Sequence, residues 1–277
     1  MCRLAALSPG IHQEEAWLIM EAMTRKIDKD GTGFASWING EASISKWPLA
    51  LWDVKEKKLP LFEQLPSKTW SVVHVRKETT DSVGIHDTHP WQFGDWIVCH
   101  NGQWSDAKVV RAALGNKYKY KGWTDSEVAA SLIAEIGPKA FYECTESHAG
   151  VYLAINKDGT LWVIKKGGEL EFGYSKKKKR FIASDIRQPY EYTTIEDGWY
   201  HYDAKGNLLE HFSEKESKEK EWDFGKNEWR RGHPKGGSYS HEENLRTNVR
   251  SIETIDSMDE LAADSGSLFS DADYNRE

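Results

Sequence analysis

The stretch GVYLAINKDGTLWVIKK, residues 150–166, decides the fold class of this chain. Its two apolar halves, 150–155 and 160–166, are rich in β-branched and aromatic side chains, and turn-forming residues at 156–159 join them. This pattern predicts two antiparallel strands connected as a hairpin. A hairpin at this point favours a layered α+β domain over alternating strand and helix units.

The regions on either side of the hairpin predict further strands and a few helices. A helix is predicted from Glu14 to Ile27, where apolar residues recur every three or four positions, and two more are predicted at 106–114 and 125–136. Short strands are predicted at 2–8, 33–37, 49–52, 70–75, 96–100, 180–184, 199–202 and 208–212. Strands, then helices, then more strands are the order expected of an α+β domain.

Composition indicates a folded protein of the cytoplasm. The chain has 277 residues, of which 39% are hydrophobic, enough for the core of one large domain or two small ones. It has no apolar run of about eighteen residues and no signal-like segment near residue 1, so we expect a cytoplasmic protein without a membrane partner. Cys2, Cys99 and Cys144 are too few for a disulfide framework or a cysteine-based zinc site.

Charge is distributed unevenly along the chain. Residues 213–277 carry 16 acidic and 10 basic side chains, whereas residues 1–212 carry 28 and 27. Because the first 212 residues are nearly neutral, we do not expect nucleic acid as a partner. The sharp change to polar composition after residue 212 predicts a domain over 1–212 followed by a polar, mostly disordered tail over 213–277.

One basic run, KKKKR at 176–180, allows two interpretations. It is either a solvated loop or a contact for an anionic acceptor or a nucleic acid. The neighbouring residues do not decide between them.

Cys2 is a candidate nucleophile because of its position. If Met1 is removed, the free α-amine belongs to the cysteine itself, and an α-amine has an ordinary pKa of about 7.7 to 8.0. Such an amine can accept the thiol proton near neutral pH, so one residue would supply both the base and the nucleophile. The alternative is that Cys2 is an ordinary small residue at the start of a strand.

Three other places carry candidate chemistry. The Asn101-Gly102 pair is either a tight hairpin turn or a pair of N–H donors for an oxyanion hole. The stretch TDSE at 124–127 fits a capping box at a helix start, and its Asp125 could also hold a substrate ammonium. Arg76, at the end of an apolar strand, requires a carboxylate partner from the protein or from a ligand.

Two other arrangements are excluded. Cys99 and His100 are neighbours in a predicted strand, so their side chains point to opposite faces and cannot form a catalytic pair. His86 and His89 stand in a loop beside Pro90 with no further cysteine or histidine cluster nearby, so we interpret them as loop histidines rather than metal ligands. No metal or other cofactor is therefore expected.

Six short motifs stand in a definite order along the chain. They are MCRLAA at 1–6, GTGFASW at 31–37, HVRKETT at 74–80, THPW at 88–91, HNG at 100–102 and TDSEV at 124–128. Together they resemble the glutaminase domain of class II glutamine amidotransferases. FIASD at 181–185 and DGWYHYD at 197–203 resemble its closing strands, so the resemblance covers about residues 2–212. It implies the four-layer αββα sandwich of N-terminal-nucleophile hydrolases, an α+β fold.

The resemblance also implies roles in catalysis. Cys2 would be the nucleophile that attacks the side-chain amide of glutamine, and its own α-amine would be the general base. Asn101 and Gly102 would form the oxyanion hole, and Gly102 would also contact the substrate.

The same resemblance assigns the amino-acid head of the substrate to polar residues. Arg76 would bind the α-carboxylate of glutamine, and Asp125 would bind its α-ammonium. Thr79 matches a family position that helps to hold the carboxylate, although the histidine that follows it in sugar-linked members is Thr80 here.

From these roles we expect hydrolysis of the L-glutamine side-chain amide through a γ-glutamyl thioester, which gives glutamate and ammonia. The 65 residues after 212 are too few for a synthase domain, so we expect the ammonia acceptor to be a separate synthase. Two alternatives stay open: an amidohydrolase acting on a γ-glutamyl conjugate, and a non-catalytic glutamine-binding protein of the same fold.

Overall fold

A computed structural model of the chain describes residues 2–25, 28–77, 84–145, 148–186 and 189–217. Thr79, Thr80 and most of the predicted tail, 218–277, lie outside the described residues. The predicted end of the first helix at Ile27 lies outside them as well.

Seven of the described strands form the first sheet. They are β1 (Arg3–Leu7), β2 (Gly31–Ile38), β3 (Glu41–Trp47), β4 (Ser71–Arg76), β9 (Glu171–Tyr174), β10 (Arg180–Ala183) and β11 (Tyr192–Thr194). Their order is β11-β9-β10-β1-β4-β2-β3, and each neighbouring pair is antiparallel. β1 therefore lies in the middle of the sheet, between β10 and β4.

Six strands form the second sheet. They are β5 (Trp91–Phe93), β6 (Trp96–Trp104), β7 (His148–Asn156), β8 (Leu161–Lys166), β12 (Gly198–Tyr202) and β13 (Leu208–Ser213). Their order is β13-β12-β8-β7-β6-β5. β7 and β8 pair antiparallel from Ile155 opposite Leu161, so the predicted hairpin is confirmed.

Five helices cover the outer faces of the two sheets in the described part of the chain. They are α1 (Gln13–Met23), α2 (Leu51–Glu56), α3 (Ala107–Leu114), α4 (Asp125–Ile136) and α5 (Pro138–Cys144). Buried residues of α1 and α2 pack against the first sheet, and those of α3, α4 and α5 pack against the second. The layers are helix, sheet, sheet, helix, which confirms the predicted αββα sandwich.

Alternation along β1 and β6 builds the core between these layers. Leu4 and Ala6 of β1 face the second sheet, whereas Ala5 and Leu7 pack against α1. Cys99 of β6 lies between the two sheets. Because successive strand residues point to opposite faces, a strand such as β1, which is apolar from residue 4 to residue 7, can contribute to both interior layers at once.

The predicted strand at 49–52 is wrong. Residue 51 begins the short helix α2, and Leu51 and Val54 bury their side chains under the first sheet. A short apolar run has the same composition in a buried strand and in one turn of a buried helix, so periodicity does not separate them. The helix predicted from residue 14 runs from Gln13 to Met23, with Thr24 outside the helical conformation at its end.

The last strand runs slightly beyond the predicted domain end at residue 212. β13 includes Ser213, and the Glu214 carboxylate accepts a hydrogen bond of 2.8 Å from the Tyr142 hydroxyl. Ordered contacts thus continue at least to residue 214. No helix among the described residues is long and apolar enough to cross a membrane.

Candidate active site

Cys2 immediately precedes the central strand β1. Pairing of Arg3 with Val75 brings it beside the end of β4, and its Sγ atom lies 3.4 Å from both the backbone nitrogen and the carbonyl oxygen of Lys77. The Lys77 N–H donates to the sulfur. Burial raises the pKa of the Cys2 thiol, while this N–H and the positive charge of Arg76 act in the opposite direction.

Asn101 approaches Cys2 from the other sheet. Its side-chain Nδ2 donates a hydrogen bond of 3.0 Å to the Cys2 carbonyl oxygen, although 99 residues separate the two positions. The Asn101-Gly102 pair is not a turn, so that interpretation is wrong. Both residues lie in β6, where Asn101 pairs with Val151 and Gly102 pairs with Gly150. The strand continues past them to Trp104 because β7 supplies a partner along this whole length.

Gly102 is required by close packing. A Cβ atom at this position would lie 2.3 Å from the Ala149 carbonyl oxygen and 2.7 Å from the Gly150 Cα. Both contacts are with backbone, which cannot rotate away. Gly102 therefore brings the backbones of β6 and β7 close together immediately after Asn101.

Asp125 begins α4 and is held by three protein donors. Its Oδ2 accepts from the Trp104 backbone N–H at 2.8 Å, and its Oδ1 accepts from the Ser126 N–H at 2.8 Å and from the Ser126 hydroxyl at 3.2 Å. The carboxylate is half-buried, so one side of it is fixed by the protein while part of it faces outward. Such an anchored anion suits a single oriented cation.

Of the two hydrogen bonds in the predicted capping box, the first is present and the second is replaced by others. Thr124 Oγ1 accepts from the Glu127 N–H at 3.3 Å, as predicted. The Glu127 carboxylate instead accepts from the backbone N–H groups of Lys121 and Gly122, at 2.7 and 2.9 Å. Glu127 therefore fixes the loop that leads into α4.

Arg76 is buried at the end of β4, where its strand partner is Gly31. Its charge lies close enough to Cys2 to act on the pKa of the thiol. The structure thus brings Cys2, Arg76 and Asn101 together at one end of the sandwich. The predicted role of Thr79 concerns a residue outside the described ranges.

The other histidines and the cysteine considered in the sequence lie in the following places. Cys99 faces the core between the sheets and His100 faces the helix layer, so the exclusion of a Cys99–His100 pair is confirmed. His86 lies on a short 3-10 turn and His89 lies in the loop that follows it, as predicted, but His89 is buried, with its ring 3.9 Å from that of His74. Among the described residues, no group of three or more potential metal ligands is assembled.

Most of the chain matches one protein family. Residues 10–215 match the family model of the glutamine amidotransferases class-II. The chain belongs to the class II glutamine amidotransferases. This confirms the resemblance carried by the six motifs and the expectation of an enzyme of that family.

Individual relatives of this amidotransferase are larger or more distant. It is 35% identical over 112 residues to the glutamine–fructose-6-phosphate aminotransferase (isomerizing) of Corynebacterium glutamicum, which covers 39% of this chain and 17% of that one. The fold is similar to that of the glutamine phosphoribosylpyrophosphate amidotransferase from B. subtilis (TM-score 0.61, 15% identity, 77% of this chain and 49% of that chain). A class-II domain protein from Silicibacter pomeroyi is also similar (TM-score 0.53, 19% identity, 76% and 99%). The chain thus spans half or less of the first two relatives.

Arg3 is a further candidate functional residue, which the sequence motifs did not indicate. It is 3% exposed, and its Nη1 donates to the Cys2 carbonyl oxygen at 3.0 Å, beside the bond from Asn101. Its Nη2 lies 2.9 Å from Asp185 Oδ2, and the buried Asp28 lies 3.9 Å from its Nε. The same signal that drew attention to Arg76, a guanidinium inside an apolar strand, was present at Arg3.

These contacts define what the site of the amidotransferase can do chemically. The Cys2 thiol lies beside a backbone N–H donor and a guanidinium. The side-chain amide of Asn101, from the opposite sheet, holds Cys2 in place by a hydrogen bond to its carbonyl oxygen. Nucleophilic attack on an amide requires a nucleophile, for which a thiol is suited, and N–H donors for the developing oxyanion. Both kinds of group are present here.

Proposed function

We propose that this chain hydrolyses the side-chain amide of L-glutamine through a γ-glutamyl thioester on Cys2 and releases glutamate and ammonia. One observation carries the proposal. The Asn101 amide of one sheet is hydrogen-bonded to Cys2, which immediately precedes β1 of the other, so the nucleophile and an oxyanion donor lie next to each other.

In the first half of the reaction the Cys2 sulfur attacks the carbonyl carbon of the glutamine amide. A carboxamide nitrogen has two N–H bonds, so Asn101 keeps one donor for the oxyanion after binding the Cys2 carbonyl group. The Gly102 backbone N–H supplies the second donor. Collapse of the tetrahedral intermediate breaks the carbon–nitrogen bond, and the nitrogen leaves as ammonia with the proton taken from the thiol.

In the second half a water molecule attacks the thioester carbon. The bond to sulfur breaks, glutamate leaves, and the thiol regains its proton. The same two N–H donors stabilise this second oxyanion. The ammonia is free to be used by a separate acceptor enzyme.

The thiol needs a base, because burial raises its pKa. We assign that role to the α-amine of Cys2, which becomes available when whatever precedes this residue is removed. An α-amine with a pKa of about 7.7 to 8.0 can accept the thiol proton near neutral pH, whereas a peptide nitrogen cannot.

Recognition of the amino-acid head is assigned to Arg76, Asp125 and Thr79. Support comes from the buried guanidinium near Cys2 and from the carboxylate that three protein donors hold in one orientation. One fixed cation and one fixed anion match the zwitterionic head of an α-amino acid.

The test combines mass, labelling and turnover. The intact mass of the purified protein shows whether Met1 is present, and peptide mapping after treatment with a glutamine-like diazoketone locates the reactive sulfur. We expect the Met1-free form, an adduct on Cys2, and loss of both adduct and ammonia release in Cys2→Ala. Cys144→Ala is the matched control, because Cys144 is an exposed free cysteine at the end of α5.

Two results would contradict the proposal. Full activity of protein that retains Met1 would exclude the α-amine as the base. Release of amine from γ-glutamyl conjugates without any ammonia from glutamine would replace the substrate and make this chain a γ-glutamyl amidohydrolase.

A further inference from the structure

A chain of hydrogen bonds runs from His100 to Asp125 on the helix-facing side of the second sheet. His100 Nδ1 lies 3.0 Å from Ser126 Oγ, and the Ser126 hydroxyl donates to Asp125 Oδ1 at 3.2 Å. None of these contacts is explained by the reaction steps described above.

The donor and acceptor roles in this series of hydrogen bonds follow from the single hydrogen of the Ser126 hydroxyl group. A hydroxyl group has one hydrogen, and the Ser126 hydrogen is directed to Asp125. His100 Nδ1 must therefore donate to Ser126 Oγ, which places the proton of the neutral imidazole on Nδ1. Burial lowers the pKa of His100 to about 4, although the charge of Asp125 acts in the opposite direction, so the ring is neutral at pH 7.

The imidazole ring is held firmly in this orientation. It is 2% exposed and stacks on Tyr152 with ring centroids 4.2 Å apart and planes 6° from parallel. Its Nε2 fills the space left by the missing side chains of Gly102 and Gly150, since a Cβ there would lie 2.8 or 3.0 Å from it. A ring packed on these sides cannot turn without moving the backbone.

We propose that His100 and Ser126 are positioning residues that hold the Asp125 carboxylate in the orientation that receives the substrate α-ammonium. This inference rests on the proposed function, in which Asp125 binds that ammonium. His100 donates to Ser126, Ser126 donates to Asp125 Oδ1, and the Trp104 N–H holds Oδ2. Donors aligned in series polarise one another, so removal of His100 weakens the last bond as well as the first.

The expected effect is on substrate affinity rather than on the chemical step. Loss of a hydrogen bond to a charged group corresponds to about a tenfold to hundredfold change in an equilibrium constant. Ser126→Ala should therefore raise KM for glutamine roughly tenfold or more, with kcat changed by less than about threefold. Ser131→Ala is the matched control, because Ser131 is a buried serine of the same helix that bonds to Val128 and Tyr120 instead.

Conservative variants separate this role from general packing. The side-chain amide of Asn places an N–H near the position of Nδ1, so His100→Asn should keep KM close to the wild-type value, whereas His100→Leu should raise it as Ser126→Ala does. Ser126→Thr retains the hydroxyl and should restore affinity. The double variant His100→Leu/Ser126→Ala should be no worse than Ser126→Ala alone, because both act through one contact.

A substrate without the α-amine completes the test. 4-Carbamoylbutanoate is glutamine without its amino group. Its KM should be the same for wild type, Ser126→Ala and Asp125→Asn. If Asp125→Asn raises KM for glutamine and neither Ser126→Ala nor His100→Leu does, the positioning role is wrong and the proposed function stands. If Asp125→Asn also leaves KM unchanged, the head-group assignment itself has failed. Should His100→Leu not fold, Ser126→Ala and Ser126→Thr decide the outcome alone.

Discussion

The side-chain amide of Asn101 and the carbonyl oxygen of Cys2 lie 3.0 Å apart, and they belong to different sheets of the sandwich. This one bond fixes the rotation of the Asn101 side chain. The second N–H of the amide then points in a direction set by the first. The orientation of the proposed oxyanion donor is thus determined before any substrate binds.

Removal of this amide should damage the chemical step. In Asn101→Ala we expect kcat to fall about 100- to 1000-fold with a small change in KM, the size observed when one oxyanion donor is lost. Steady-state ammonia release measures both constants. Asn207→Ala is the control, since Asn207 bonds to Asp203 in an exposed turn. An Asn101→Ala enzyme with normal kcat would remove Asn101 from the mechanism.

A single added methyl group at residue 102 should reduce activity as strongly as the loss of the Asn101 amide. Gly102→Ala places a Cβ 2.3 Å from the Ala149 carbonyl oxygen, so β6 and β7 must separate and the N–H of residue 102 must move. We expect a loss of about 1 to 3 kcal/mol in the free energy of unfolding and at least a hundredfold loss of activity. Gly84→Ala is the comparison, because its Cβ would meet nothing closer than 3.8 Å. Equal behaviour of the two variants in thermal melts and assays would show that the approach at Gly102 is not tight.

Arg3 should matter for stability as well as for the placement of Cys2. In Arg3→Met the buried carboxylate of Asp28 and the half-buried carboxylate of Asp185 lose this cation, and breaking the buried pair costs about 3 to 5 kcal/mol. The exposed pair Lys117–Glu135 gives the contrast, and Lys117→Met should cost less than about 1 kcal/mol. Urea unfolding measures both. A small loss in Arg3→Met would mean that Arg25, which also contacts Asp185, is sufficient by itself.

Acid should destabilise the fold through its buried histidines. Burial lowers the pKa of His74 to about 3 and that of His89 well below its ordinary value, so both stay neutral in the folded chain where the unfolded chain takes up protons. Stability is therefore complete above about pH 6.5 and falls as the pH drops towards 3, and His74 accounts for about 2 kcal/mol of the loss at pH 5.

Urea unfolding at pH 7.5 and 5.0 measures this loss. His74→Asn should lose about 2 kcal/mol less than wild type between the two values, whatever its stability at pH 7.5. His86→Asn should lose as much as wild type, because His86 is exposed. A His74→Asn chain with the wild-type slope would show that His74 titrates normally in the folded state.

Local sequence patterns predicted the long elements well and the short ones poorly. α4 begins at Asp125 and ends at Ile136 as predicted, because Thr124 caps it and Gly137 follows it. β5 and β11 have three residues each, too few for any periodicity to appear. β3 is an edge strand with partly exposed residues throughout, so it lacks the apolar content that marks an interior strand.

The site could be predicted only as separate pieces. Motifs indicated Cys2, Arg76, Asn101 and Asp125 as candidates, because each residue type has a recognisable chemical use. Their contacts depend on the pairing of strands that are far apart in sequence, which no local pattern contains. The mistaken turn at Asn101 has the same cause, since Asn-Gly favours a turn unless a long partner strand such as β7 keeps the chain extended.

The central place of β1 has a consequence for the synthesis of the protein. Arg3–Leu7 are made before both of their neighbours in the sheet, which are residues 71–76 and 180–183. At 5 to 20 residues per second, the second neighbour emerges roughly 10 to 35 seconds after the first strand. During that interval β1 can pair with β4 only, because its other neighbour, β10, has not yet been made. Cys2 is therefore among the first parts of this domain to be made and among the last to be enclosed.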